Sequence, residues 1–274
     1  MRKDMKIAFI GGGNMATALL GGLAGKLTAG GNIHVVDPNA DALARLKGRF
    51  GVSTATGVDA EVYDVDVIVL AVKPQQMREV AAALLPHLCG QLVLSIAAGI
   101  RAADLSRWLG GHQAIVRCMP NTPALIGQGI TGMVATAGVS AQQKEAAEAI
   151  LRSVGATVWL DDESLIDPVT AVSGSGPAYV FYFIEAMQQA AQEMGLTAEQ
   201  GTQLAIATFT GAAQLAAQSD EPVSVLRERV TSKGGTTYAA LTSMEQSGVR
   251  AAIVKALHAA AARGKELGEE FGKD

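Results

Sequence analysis

Cysteine is almost absent from this chain: Cys89 and Cys118 are the only two in 274 residues, and no CxxC pair exists. Neither a disulfide framework nor a cysteine-based zinc site is expected, and a reducing compartment fits. Histidine is as sparse, with His34, His87, His112 and His258 standing far apart, so no metal site is read and each is taken as structural or exposed. Charge is scarce too. Charged residues make up 18% of the chain and the formal net charge is −4, with no Lys/Arg patch, which argues against nucleic acid as a partner. No uninterrupted apolar run has the length of a membrane span. The segment Met1-Arg2-Lys3-Asp4-Met5-Lys6 leads into a strand without the apolar stretch of a secretory leader. These absences predict a soluble, cytoplasmic protein with neither a membrane nor a nucleic acid as its partner.

What is present is apolar. Hydrophobic residues reach 49% against so little charge that much of the surface is expected to meet other protein, as in a homo-oligomer. Lys6 to Ile10 reads as a strand ended by Gly11-Gly12-Gly13, and a helix follows from Asn14 to about Leu27. Ile33 to Val36 is a second strand ending at Asp37-Pro38, and Asp41 to Phe50 a second helix. Val65 to Val72 is almost wholly apolar, the pattern of a strand buried on both faces of a parallel sheet. Residues 75–86 read as helix, Leu92 to Ile96 as strand, Ala102 to Leu109 as helix and Ala114 to Met119 as strand. Ser140 with Gln143 forms a capping box for a helix that ends near Gly155, before a last strand at Thr157 to Leu160. This alternation predicts an α/β fold: a doubly wound Rossmann-type domain over 1–161, with Asp161-Asp162-Glu163 as the hinge.

Beyond the hinge the pattern is helical throughout, predicting an all-helical domain over 162–274. Helices are expected from Pro177 to Met194, from the Thr197/Gln200 capping box to about Gln218, and from Pro222 onward. Two more are expected over 236–246 and 249–268.

Gly11-Gly12-Gly13-Asn14-Met15-Ala16 fits G-x-G-x-x-A between a strand and a helix. The glycines permit a tight turn and let a pyrophosphate approach the helix N-terminus. Asp37 ends the second strand about 20 residues on, where a carboxylate can meet the ribose hydroxyls of NAD. Asn39 beside it can donate to a phosphate, so NAD and NADP both remain open. Three more strand ends carry distinctive residues: Ala71-Val72-Lys73-Pro74, Ser95-Ile96-Ala97-Ala98-Gly99, and Met119-Pro120-Asn121-Thr122-Pro123. Ligands of open parallel sheets gather beyond those ends. Ala71, Val72, Lys73, Pro74, Ala97, Ala98, Gly99 and Asn121 are therefore read as cofactor-binding alongside Gly11 to Met15, Asn121 presenting its amide toward the nicotinamide.

A second anion-shaped turn lies far from the first. Val230-Thr231-Ser232-Lys233-Gly234-Gly235-Thr236-Thr237 interrupts a helix-forming background and is followed by Tyr238, Leu241 and Met244 at helical spacing. It reads as a turn feeding a helix N-terminus, where outward N–H groups favour an anion. A small acid held beside a dinucleotide is the implied use.

Together these motifs resemble the pyrroline-5-carboxylate reductase family over nearly the full length. The resemblance rests on Phe9 to Met15, Ala71 to Pro74, Ser95 to Gly99, Met119 to Pro123, Ser173-Gly174-Ser175-Gly176-Pro177-Ala178-Tyr179, and above all Pro222 to Thr237. It implies hydride transfer from NADH or NADPH to the imine carbon of 1-pyrroline-5-carboxylate, the last step of proline biosynthesis. It also implies a homodimer through the helical domain, alone or assembled into a larger ring of dimers. Substrate binding falls to Ser232, Gly234, Gly235 and Thr236, with Thr237 as the catalytic hydroxyl toward the ring nitrogen. Ser173, Gly174 and Ser175 form a close wall. Lys233 receives no role, because the family varies there. Asp37 is not a fixed family feature either, and many members use NADPH. A β-hydroxyacid dehydrogenase, the nearest rival, needs a lysine after the domain junction, and none occurs between Lys144 and Lys233. A cofactor-binding sensor without turnover is the rival of another class.

Overall fold

The computed structural model describes residues 4–273. Strand β1 (Ile7–Ile10) leads to α1 (Asn14–Leu23), β2 (Ile33–Val36), α2 (Ala40–Phe50), β3 (Ser53–Ala55), β4 (Val67–Leu70) and α3 (Met77–Leu84). Next come β5 (Leu92–Ser95), α4 (Ala102–Trp108), β6 (Ile115–Met119), β7 (Gly129–Ala135), α5 (Ala141–Arg152) and β8 (Gly155–Trp159). The strands form one sheet ordered β3-β2-β1-β4-β5-β6-β7-β8. Every neighbouring pair is parallel except β6 with β7. The order reverses between β1 and β4, which opens a crevice at their C-terminal ends.

The centre of the sheet is buried on both sides, and its strands β1 and β4 are apolar at every position. Ile7, Phe9, Val67, Val69, Leu92 and Leu94 feed one core with the α1 and α5 residues Leu19, Leu20, Ile150 and Leu151. Their neighbours Ala8, Ile10, Ile68, Leu70 and Val93 point the other way, to Met77, Leu84 and Leu105 of α3 and α4. A two-residue side-chain period splits each uninterrupted apolar run between two cores, as the sequence of β4 predicts.

Two strands were not foreseen. β3 is three residues long on the sheet edge, too short to show a pattern. β7 mixes two glycines and a threonine into its apolar run, and both glycines answer to packing. A Cβ on Gly132 would lie 2.7 Å from Val169 Cγ1, and one on Gly129 2.9 Å from Ala124 Cβ. Both expected capping boxes form, at Ser140/Gln143 and Thr197/Gln200.

After β8 the chain makes a 3₁₀ turn (Glu163–Leu165), the single-turn α6 (Ile166–Val169) and a π-helical turn (Thr170–Gly174). It divides into two compact units: one holds the chain through Ser175 together with the stretch from Ala259, the other Gly176–His258. The second unit contains α7 (Gly176–Glu193), α8 (Ala198–Ala217), α9 (Val223–Arg229), α10 (Thr236–Gln246) and the start of α11 (Val249–Phe271). Pro222 stands one residue ahead of α9, as its N-cap, rather than inside the helix. Within this unit α7 and α8 cross closely at Gly201, whose Cβ would lie 3.0 Å from that of Ala191, and Phe183 meets Phe209 with ring centroids 6.5 Å apart. Beyond that crossing little is covered. Phe181, Tyr182, Leu204 and Leu215 are each more than half exposed, at 60%, 73%, 56% and 60%.

Candidate active site

The glycine-rich turn is built by the ends of β1, β2 and β4. Gly11 donates to the Val36 carbonyl at 2.8 Å, and Ala71 donates to the Ile10 carbonyl at 2.8 Å, so the three strand ends are drawn together. Gly11 has φ +104°, and a Cβ there would sit 2.5 Å from the Ala71 carbonyl oxygen, so this position admits only glycine. Gly13 caps α1 with nothing within 4 Å of where its Cβ would be. No side chain caps α1 and its first turn carries no acidic residue. An open helix N-terminus approached by bare backbone fits the pyrophosphate of a dinucleotide.

Asp37 is tied into that turn. Its Oδ2 accepts from the Gly12 N–H at 2.7 Å and its Oδ1 from the Asn39 N–H at 2.8 Å. Asn39 in turn caps α2 by accepting from the Ala42 N–H at 3.0 Å. The carboxylate therefore stands fixed at the end of β2, its free lone pairs available to hydroxyls and its charge unfavourable to a phosphate. The Asn39 side-chain oxygen is occupied by the cap.

Ala71 to Pro74 leave β4 at the same sheet edge, Lys73 exposed and Pro74 opening a 3₁₀ turn. Ile96 to Gly99 leave β5 there, with Ala97 buried. Gly99, at φ +75°, is packed by protein: a Cβ would lie 3.1 Å from Leu267 Cβ and 3.2 Å from Phe271 Cδ2, on the part of α11 that belongs to the first unit. From β6, Asn121 is buried, its Nδ2 donating to the Ser173 carbonyl at 3.2 Å and its Oδ1 accepting from the Ile130 N–H at 3.0 Å. Gly174 lets Met119 against the same turn, where a Cβ would lie 2.5 Å from Met119 Cε. The structure thus gathers the glycine turn, the three further strand ends and Ser173 to Ser175 in one unit, along the C-terminal edge of the parallel strands.

One group in this region escaped sequence reading. Arg117 in β6 is 4% exposed, and its Nη1 donates to Glu163 Oε1 at 2.8 Å while Nη2 lies 3.9 Å from Asp167 Oδ1. Glu163 Oε1 also accepts from the Ala102 N–H at the start of α4, at 2.7 Å. The expected hinge acid is therefore a bolt between β6, α4 and the linker. A lone arginine inside the apolar run Ile115–Met119 was the available signal.

In the second unit, α9 ends at Arg229 and the chain turns through Thr231 to Gly235 into α10. Gly234 is left-handed at φ +74°, and a Cβ on Gly235 would lie 2.5 Å from Ser232 Oγ. The Gly235 N–H closes the turn by donating to the Ser232 carbonyl at 3.0 Å. Gly235 caps α10 without a side-chain bond, and the first turn, Thr236 onward, holds no acidic residue. Thr237 is half-buried and Ser232 exposed. Among the residues expected to bind substrate, Gly235 has its N–H engaged within the turn.

Cys118 in β6 is fully enclosed and burial pushes its thiol far up, which leaves it unreactive. Among the described residues no group of His, Cys, Asp and Glu is arranged to hold a metal ion. A cavity of about 940 Å³, lined by Met5, Cys89, Gln91 and Gln143, lies at the opposite edge of the sheet, by the N-terminal ends of β1, β4 and β5.

Comparison with known proteins matches this arrangement to a described family. The family model for pyrroline-5-carboxylate reductase dimerisation covers residues 163–267, and that for NADP oxidoreductase, coenzyme F420-dependent, covers residues 6–99. A pyrroline-5-carboxylate reductase of Pseudomonas aeruginosa is 48% identical over 269 residues, covering 98% of each chain. The chain belongs to the pyrroline-5-carboxylate reductase family. The Escherichia coli member of that family is 39% identical over 93% of this chain and 95% of its own. A family structure from Coxiella burnetii superposes with a TM-score of 0.91 at 41% identity, covering 96% and 98% of the two chains. One from Plasmodium falciparum, with NADP bound, superposes at 0.87 with 30% identity over 98% and 100%. The chain is an NAD(P)-dependent oxidoreductase with a Rossmann-like sheet and a helical dimerisation domain. No helix among the described residues is long and apolar enough to cross a membrane.

Proposed function

We infer that this chain reduces 1-pyrroline-5-carboxylate to L-proline with NADH or NADPH, in the cytoplasm. The observation that carries this is a pair of open helix N-termini. Both α1 and α10 begin at glycines, lack a side-chain cap, and have no acid in the first turn. One suits the dinucleotide pyrophosphate and the other a small carboxylate. Functionally the chain divides into 1–161 for the dinucleotide and 162–274 for substrate and dimerisation, as a homodimer alone or one assembled into a larger ring.

Gly11, Gly12, Gly13, Asn14 and Met15 hold the pyrophosphate side of the nucleotide, and Asp37 faces its ribose. Ala71 to Pro74, Ala97 and Ala98 line the strand ends beyond it. When bound, the reduced nicotinamide supplies the hydride. The imine nitrogen is protonated near neutral pH, so the substrate carbon is electrophilic before it meets any side chain. This explains a site without a His/Asp or Cys/His pair. The substrate carboxylate sits on the Gly234 and Thr236 end of α10, with Ser232 beside it. The Thr237 hydroxyl bonds the ring nitrogen and keeps the ring face fixed. Ser173, Gly174 and Ser175 exclude water by close packing. The work is positioning, an effect of up to ~7–11 kcal/mol in well-oriented systems.

The deciding experiment incubates the purified chain with 1-pyrroline-5-carboxylate and each reduced nucleotide, following nucleotide oxidation and proline together. Proline formed in step with oxidised nucleotide is expected. Nucleotide binding without proline would instead leave a sensor that lacks turnover.

A further inference from the structure

Asn121 combines a buried position with a side chain engaged at both its oxygen and its nitrogen. It is 9% exposed, and its amide spends its oxygen on the Ile130 N–H that opens β7 and its nitrogen on the Ser173 carbonyl. Ser173 lies in the π-helical turn Thr170–Gly174, closed by the Ser175 N–H donating to the Thr170 carbonyl at 2.8 Å. In a continuous α-helix the Ser173 carbonyl would accept from residue 177. Residue 177 is proline, which has no N–H to give. The donor comes instead from the end of β6, where Met119 also presses on Gly174. The Ser173 hydroxyl is turned inward to the Val169 carbonyl at 3.0 Å, so this segment offers its backbone and its small size rather than a free hydroxyl.

We propose that Asn121 is a positioning residue for hydride transfer: its amide N–H holds Ser173 to Ser175 in the π-helical turn at the C-terminal edge of β6. It acts through that turn in place of touching the nicotinamide. This rests on the reading that Ser173 to Ser175 wall the substrate. π-turns inside helices are costly and gather at functional sites, which suits a wall whose place must be set within a fraction of an ångström.

Asn121→Asp and Asn121→Leu test it in the full chain. Aspartate keeps the size and the acceptor for Ile130, and a carboxylate cannot donate to Ser173. A protonated carboxyl can, and both partners of residue 121 are uncharged backbone groups. The ratio of kcat for Asn121→Asp to that of the unaltered chain is therefore read from about pH 5.5 to 9, each pair at one pH so that substrate protonation cancels. The expected result is a loss of about tenfold or more at the alkaline end that shrinks several-fold toward the acid end. Asn121→Leu should lose a similar factor at every pH. The KM for the reduced nucleotide should stay within about threefold in both, since the glycine turn is untouched. A pH-flat ratio for Asn121→Asp, or its kcat matching the unaltered chain throughout, would overturn the proposal even where Asn121→Leu fails to fold. Failure of the unaltered chain to form proline would overturn the functional reading instead.

Discussion

At the residue scale the site depends on backbone groups more than on acids and bases. Gly11 illustrates this: its left-handed φ and its 2.5 Å clearance to the Ala71 carbonyl leave no room for a methyl group. Gly11→Ala should weaken dinucleotide binding at least tenfold and cost about 1–3 kcal/mol of stability, checked by nucleotide titration and thermal melting. On the role proposed for Thr237, Thr237→Ala should lower kcat/KM by about 10- to 100-fold while the nucleotide KM holds, because the proposed hydrogen bond to the reacting ring would be lost with the glycine turn at α1 untouched. Unchanged kinetics would remove Thr237 from the mechanism. Asp37 is the residue proposed to face the nucleotide ribose. With its carboxylate pinned by two N–H groups, Asp37→Ser should raise the ratio of kcat/KM for NADPH over NADH, measured side by side. A ratio that stays put would mean the 2′-position lies elsewhere.

At the scale of the element, helix ends account for most of what was legible. The capping boxes at Ser140 and Thr197, the glycine-opened α1 and the turn before α10 all follow from local chemistry, and all were read from neighbouring residues. The π-helical turn was not. The Ser173 carbonyl within it, left without an N–H donor at Pro177, accepts from Asn121, and no local pattern records that pairing. The linker supplies a pH prediction. Hydrogen bonds from the Ser164 hydroxyl and N–H hold the Asp162 carboxyl below its usual range. A depressed carboxyl stabilises the fold above its unfolded pKa and ceases to do so as pH falls through the folded value. Asp162→Ala should therefore melt lower than the unaltered chain at neutral pH, and the gap should close below roughly pH 4.

At the scale of the whole molecule the second unit is the part that needs company. Of its two long helices, only Ala191 of α7 and Gly201 and Ala205 of α8 are buried, while Phe181, Tyr182, Leu204 and Leu215 face outward. That much exposed apolar surface is the signature of an interface, and it lies within the matched dimerisation domain. Leu204→Glu together with Phe181→Glu should yield a monomer in sedimentation analysis, with a lower melting temperature than the unaltered chain. Retention of the oligomer would place the interface on another face.

The sequence by itself determined the sheet-and-helix alternation, the two glycine-opened helix ends and the family, because each is written in residues close together along the chain. Periodicity and glycine placement act over one or two turns, so they survive reading in one dimension. Tertiary structure alone decided which polar groups and which open positions were already taken. Asn121 turned inward to Ser173, Gly235 closed its own turn, Gly99 was filled by α11, and Arg117 found Glu163 across the linker. A buried donor must find an acceptor, and the partner it finds is set by which strand ends and helices the fold places side by side.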